Sequence, residues 1–325
     1  MADVSIEIDF DSDRGQLLLI AALAVAVILV GVALLLNAAI FTENIATRET
    51  GADGREAISI REATVDDIGE LIERENEREN ETDVTDRVGD GIDAMVPLLE
   101  REHIRHGIVV DLERQGIDEG ERIEWDTDVN SDDFTVERIV DDEPDDEPEW
   151  TLLTDVNATR GFTLTIDRTT LATLDEPNET QLENNAFGIE FAGEGVSQYV
   201  YEDTDNVVVA QVSGGSVDHR CSIASADEVT VDLTGDRLET DEEMTRCHRG
   251  LWPTTDFEQI DSIEITNGDR AGGTFSLTID DESTAADESE LIVEPAVYAA
   301  TVEFRYTSAD LDVETHVVVA PGAPR

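Results

Sequence analysis

The chain has 325 residues and carries 78 acidic side chains against 21 basic ones, all of them Arg, for a formal net charge of −57. Charge of this size repels itself in dilute buffer and becomes tolerable where molar salt shortens the Debye length to about 3 Å. Because the acids run along the whole chain and are not gathered into one tail for a basic partner, the composition reads as that of an extreme halophile. Nucleic acid is excluded as a partner, since no basic patch exists to release its counterions.

Residues 1–15 form a short acidic leader with Asp3, Glu7, Asp9, Asp11 and Asp13 ahead of Arg14 and Gly15. Leu17 to Leu36 then runs without a charged or polar side chain. As a helix, twenty residues span about 30 Å, the thickness of a bilayer's hydrocarbon core. Secretory signals have a shorter apolar stretch, of about 7–15 residues. The expectation is therefore a retained transmembrane helix over 16–42, in which Ala22 and Ala26 would allow close helix approach. Counting Arg on either side, with Arg14 before and Arg48 and Arg55 after, does not orient the span. Two features place the large C-terminal part outside. One is the cysteine pair Cys221 and Cys247, and the other is the set of glycosylation acceptor sequences at Asn80, Asn157 and Asn178.

The stretch "DRGQLLLIAALAVAVILVGVALLLN" resembles the N-terminus of archaeal type IV pilin-like precursors. In that family a prepilin peptidase cuts on the cytoplasmic side, after a basic residue and Gly. The resemblance implies Arg14 and Gly15 as the recognition pair and Gln16 as the new N-terminus. This chain departs from the bacterial pattern at the fifth mature position, where Ile20 stands for Glu. It departs from the Gln-x-Ser-x-Glu variant at Leu18 and Ile20. The overall layout is similar to pilin-like surface proteins of halophilic archaea, with a leader, one span, a charged helical stalk and an acidic β-rich domain.

Residues 43–115 read as helical. Ile58, Val65, Ile68, Leu71 and Ile72 recur at helical spacing, as do Val88, Ile92, Met95 and Leu99, around a polar "ERENERENET" and a hinge near Asn80–Asp86. A stalk or hairpin is expected there. From 116 to 325 the period changes to two, with about ten short alternating segments from "FTVERIV" to "VETHVVVA". These predict an antiparallel, sandwich-like β domain. "DDEPDDEPEW" reads as an acidic loop and "APGAPR" as a frayed end. The fold class expected is thus α+β: a long transmembrane helix and helical stalk, then a β-rich domain.

Motifs for chemistry are few. His219–Cys221 ("HRC") and Cys247–His248 could hold zinc if the cysteines met, but export favours a disulfide closing a loop of about 25 residues. "HIRH" at His103 and His106 has metal-ligand spacing without a partner helix, and the Asp/Glu/Pro run lacks the Gly-centred order of a calcium loop. No nucleophile-elbow, zincin, P-loop or dinucleotide-binding sequence is present. No cofactor and no metal is expected. The reading is a non-enzymatic, single-pass cell-surface protein, a minor or accessory subunit of a type IV pilus-like assembly. Its partners would be the lipid bilayer and other pilin-like subunits, met through the apolar helix, and no nucleic acid. The alternatives are a permanently anchored binding or adhesion protein and an extracytoplasmic hydrolase built on paired carboxylates.

Overall fold

The computed structural model describes residues 54–78, 83–125, 133–140, 143–253, 260–288 and 290–324. Helix α1 covers residues 54–76. It buries Ala57, Ile60, Thr64, Ile68, Leu71 and Ile72, one continuous stripe at spacings of three and four. Helix α2, Val84–His103, buries Val84, Val88 and Ile92. The two run antiparallel: Arg87 pairs with Glu75 at 3.0 Å, and Gly91 lies so near Leu71 that a Cβ there would sit 2.7 Å from its Cδ2.

The strands follow in order as β1 Val109–Trp125, β2 Val136–Val140, β3 Glu143–Glu147, β4 Trp150–Thr154, β5 Thr159–Asp167, then, after the short helix α3 at Glu179–Asn185, β6 Phe187–Ala192, β7 Val196–Asp203, β8 Asn206–Ser213, β9 Ser216–Ala224, β10 Glu228–Asp232, β11 Arg237–Glu239, β12 Met244–Arg246, β13 Ser262–Thr266, β14 Gly273–Asp280, β15 Thr284–Ala285, β16 Ile292–Thr307 and β17 Asp312–Val319. One sheet has the order β12-β11-β10-β5-β14-β1-β16-β17, and a second has the order β15-β4-β13-β6-β7-β8-β9. All of their ladders are antiparallel.

Two cores divide the first sheet. Its β10, β5 and β14 side, with the C-terminal part of β1, packs on the second sheet through Ile123, Phe162, Leu164, Phe275, Leu277 and an aromatic group around Trp125, Phe134 and Trp150. The other side buries Val110, Leu112, Val302, Phe304 and Tyr306 against the stripes of α1 and α2. β1 and β16 are long enough to serve both cores. They do so by bending at two bulges, one at Gln115 and one at Tyr298, where the ladder shifts register.

The sheet curls until the segment after its last strand meets β5 again. Gly161 N donates to Gly322 O at 2.9 Å. Both glycines have positive φ, and a Cβ on Gly322 would come within 3.0 Å of the Gly161 backbone. Beside them Arg160, 3 % exposed, donates to Tyr298 O (2.7 Å), Pro321 O (2.7 Å) and Val297 O (2.8 Å). Asn76, at the end of α1, donates to Val297 O and accepts from Val297 N, both at 2.9 Å. Burial lowers the Arg160 guanidinium to about 10, which leaves it charged at neutral pH, and burial pushes the Tyr298 hydroxyl up to about 12.

Several expectations are corrected here. Among the described residues the architecture is mostly antiparallel β-sheet curled into a half-barrel, not a helical stalk carrying a β domain. Among the described residues no helix is long and apolar enough to cross a membrane, so neither the transmembrane nor the pilin-like expectation draws support from them. The span expected over 16–42 lies outside the described residues. The helices form no stalk, because their apolar stripes need cover and find it on β1 and β16. Residues 109–115 are strand and not helix, since Val110 and Leu112 supply that cover. Ile58 falls outside the stripe and is exposed, whereas Glu75 and Asn76 from the polar run are buried. The acidic run supplies β3, paired with β2, and "APGAPR" is held down through Pro321 and Gly322.

Replacing Arg160 with Met removes three donors from buried carbonyls. At about 1–3 kcal/mol for each buried group left unsatisfied, unfolding by denaturant in molar KCl is expected to show a loss of about 3 kcal/mol or more, with Arg160→Lys recovering only part. Glu190 on β6 stands directly opposite Glu264 on β13. Burial first, then Glu264, Glu149 and Glu183, raise its pKa above the ordinary carboxylate value of 4.5. A folded-state pKa above the unfolded one means that the contribution is present below that value and is lost as pH rises through the folded pKa. Glu190→Gln should therefore raise thermal stability at neutral pH, by up to about 1 kcal/mol. The gain should vanish below about pH 4 and shrink in molar salt, as melting curves of both proteins across pH will show.

Candidate functional site

Four places hold the chemistry-bearing residues. The first is the edge where the two sheets meet. Cys221 on β9, the last strand of the second sheet, is joined to Cys247, one residue past β12, the last strand of the first sheet. The Cα atoms are 5.1 Å apart and the bridge spans 26 positions. Cys247 N donates to Asp236 O at 2.8 Å, placing it beside β11. From there the chain crosses between the sheets: Leu251 N donates to Asp236 Oδ1 at 2.7 Å, Leu251 O accepts from Gln198 at 2.7 Å, and Trp252 packs edge-on to Phe191. The disulfide expected between Cys221 and Cys247 is therefore formed. It takes both thiols out of any metal site. His219 and His248 lie exposed beside it, with the His219 ring 3.2 Å from Cys221 O.

The second place is the acceptor sequences. Asn178 caps α3: its Oδ1 accepts from Gln181 N, and Gln181 reaches back to its N–H, both at 3.1 Å. That arrangement uses the side-chain oxygen and leaves the exposed amide nitrogen to carry a glycan. Asn157 is also exposed, but its amide nitrogen donates to Asp280, a bond that modification would have to give up. Asn80 lies outside the described residues, as do Arg14, Gly15 and Gln16.

The third is a cleft of about 220 Å³ between α1 and the curled sheet, lined by Glu73, Glu77, Arg122, Arg160, Asp232 and Arg237 among others. Three guanidinium groups face three carboxylates. Arg237 holds Asp232 at 3.0 Å, and Arg122 holds Glu124 at 2.5 Å. The charges cancel locally, and Asp232 also accepts from Gly235 N at 2.7 Å. The cleft can take a small polar group, with Arg160 and the Asp232–Arg237 pair committed to the fold.

The fourth is the last turn of α2, where His103 and His106 stand on a 3-10 turn. Among the described residues, no group of three or more His, Cys, Asp or Glu side chains is arranged to hold a metal ion. Sequence reasoning missed Arg160 and Asn76. The available signal was an Arg-Gly pair opening the alternating segment "TRGFTLTID" in a chain where Arg is scarce.

Compared with known proteins, residues 11–125 match a family of unknown function, DUF7261. The match takes in α1, α2 and β1 together with the apolar stretch before them, and stops where the sandwich core begins. No curated protein and no solved structure matches the chain.

Replacing Cys221 and Cys247 together with Ser reopens the edge between the sheets. The loop-entropy relation gives about 3 kcal/mol for a loop of this size. The oxidised parent should lose a similar amount on reduction, and the double variant should not respond to reductant, as thermal melts at fixed salt will show.

Proposed function

We propose that the protein is displayed on the outside of the cell, held at the membrane by its N-terminal apolar stretch, and works there by binding and assembly and not by catalysis. The single observation that carries this reading is the disulfide that staples the two sheets at their open edge. A cross-link of this kind persists in an oxidising compartment. The acidic surface suits exposure to molar salt, and the free amide of Asn178 suits a glycosylated exterior. The resemblance of Arg14-Gly15-Gln16 to pilin-like leaders makes the more specific version an accessory subunit of a type IV pilus-like assembly, with the folded domain presented outward.

The described domain starts close to the apolar stretch. Only seventeen residues separate Leu36 from Gly54, the first residue of α1. The stripe of α1 is fully used inside the domain by β1, β16 and α2. Contacts between subunits therefore fall to residues ahead of Gly54 and to the domain's outer surface.

Mass spectrometry of the protein from native membranes tests the reading at its N-terminus. A chain beginning at Gln16 is expected for the assembly subunit. An intact N-terminus makes it a permanently anchored binding protein. A chain that begins past Asn37 has lost its attachment and overturns the reading.

A further inference from the structure

One end of the helical hairpin exposes apolar side chains that nothing in the domain covers. The Glu75–Arg87 pair and the Gly91–Leu71 contact set the antiparallel register, which brings the start of α1 beside the last turn of α2. Ala57 and Ile60 share their core with Leu99 and Ile108, so that register holds to the end of the hairpin. Around this core Ile58, Leu98, Ile104 and Val109 are 55, 60, 62 and 50 % exposed, and they are half of the exposed large apolar side chains among the described residues.

The charge balance changes in the same place. Residues 54–62 and 98–109 carry Arg55, Arg61, Arg101 and Arg105 against Glu56, Glu62, Glu100 and Glu102, and they add His103 and His106. The whole chain has 78 acids for 21 Arg. The helical part of this end is thus neutral on an otherwise strongly anionic molecule, with Asp310 and Asp312 of the β16–β17 turn at its rim. It is also where the chain enters the domain, seventeen residues after the apolar stretch, a reach of at most about 60 Å even fully extended.

We propose that this end, bearing Ile58, Leu98, Ile104 and Val109 among arginines, rests on the lipid surface, with its apolar side chains in the headgroup–acyl boundary and its guanidinium groups among anionic headgroups. The inference rests on the reading that residues 17–36 attach the chain to the bilayer. A lipid surface suits the patch better than a second copy of the chain. The core of a protein interface is depleted of charge, whereas here Ile58, Leu98 and Ile104 each lie within about one helical turn of both an Arg and a Glu, the mixture found where proteins lie on membranes. Molar salt screens the Arg–headgroup attraction beyond about 3 Å, so the arginines act only in contact and burial of the four apolar side chains supplies the attraction. Docking would also fix the domain's orientation, with the disulfide-stapled sandwich facing away from the surface.

The test uses the full chain with Ile104→Trp, floated with vesicles of phosphatidylglycerol and acyl-brominated phosphatidylcholine in molar KCl. The native Trp125, Trp150 and Trp252 are buried and out of reach of the quencher. Val318→Trp, on an exposed site near the opposite end of β17, serves as the reference, and Leu98→Trp repeats the measurement at an independent position. The expected result is that Trp introduced at 104 and at 98 loses most of its emission in brominated vesicles while Trp at 318 keeps it. Vesicle-bound protein in which 104 and 98 stay as bright as in unbrominated lipid, or in which 318 is quenched equally, overturns the docking proposal and leaves attachment standing. Protein that does not float with the vesicles overturns the attachment reading, and the docking proposal with it.

Discussion

One guanidinium holds the architecture closed. Arg160 gathers the carbonyls of Val297, Tyr298 and Pro321, which come from a bulge in the long β1–β16 ladder and from the segment after β17. Burying a cation is costly unless its donors are satisfied. Here the cost is met by charged hydrogen bonds, each stronger than a neutral one, and by the Tyr298 ring 5.8 Å below the guanidinium. Through these bonds the sheet curls far enough to enclose α1 and α2. Without the curl the helical stripes would have a partner on one side only. The bulge at Tyr298, the αL glycines Gly161 and Gly322, and the amide of Asn76 all converge on this spot. Sheet curvature, tail placement and helix docking are therefore three aspects of a single closure.

The same economy governs charge. A chain with nearly four acids for each Arg has few cations to place, and those in surface pairs, such as Arg305 with Glu314 and Arg114 with Asp93, contribute little. Several arginines instead sit where a buried acid or carbonyl requires them: Arg87 and Arg78 on Glu75, Arg237 on Asp232, Arg160 on the tail. The fork of donors on Arg suits these positions better than the point charge of Lys, and Lys is absent altogether. Of the other acids described, Asp280 is buried and accepts from Ser283 and Asn157, the rest lie on exposed or half-exposed faces, and the interior of the sandwich is aromatic and aliphatic. Salt then acts on the surface term, while the two cores are left to carry cohesion.

What could be read from the sequence depended on how each segment is buried. The ten alternating segments all fall in strands; in those such as "FTLTID" one face is buried and the other is only half-buried, the condition under which period two survives, while "NVVVAQV" is covered on both faces and reads as an apolar run. The Cys221–Cys247 bond was legible on simpler grounds, as two cysteines in a chain expected to be exported leave one pairing. β1 was not legible. Its "VVDLERQGIDEGERIEW" is interrupted by a bulge at Gln115 and serves two cores in succession, so apolar residues at 110, 112, 117, 123 and 125 never form one alternating run. The stalk was misread because helical spacing tells which face is apolar and nothing of what covers it. Part of the cover, β1, follows α2 directly, and the rest is β16, far along the chain. Arg160 and Asn76 escaped notice because their role lies in backbone carbonyls, which every sequence has and none displays.

The distance between α1 and its sheet has a consequence for how the molecule is made. Asn76 and Val297 are 221 positions apart, and at about 5–20 residues per second a ribosome takes some ten to forty seconds to bridge them. Throughout that interval Ile68, Ile72, Val88 and Ile92 have at most β1, and not β16, to cover them. The hydrogen bond from Gly161 to Gly322 comes later still. Completion of the fold is therefore timed by the arrival of β16 and the segment after β17, and not by the order of the chain.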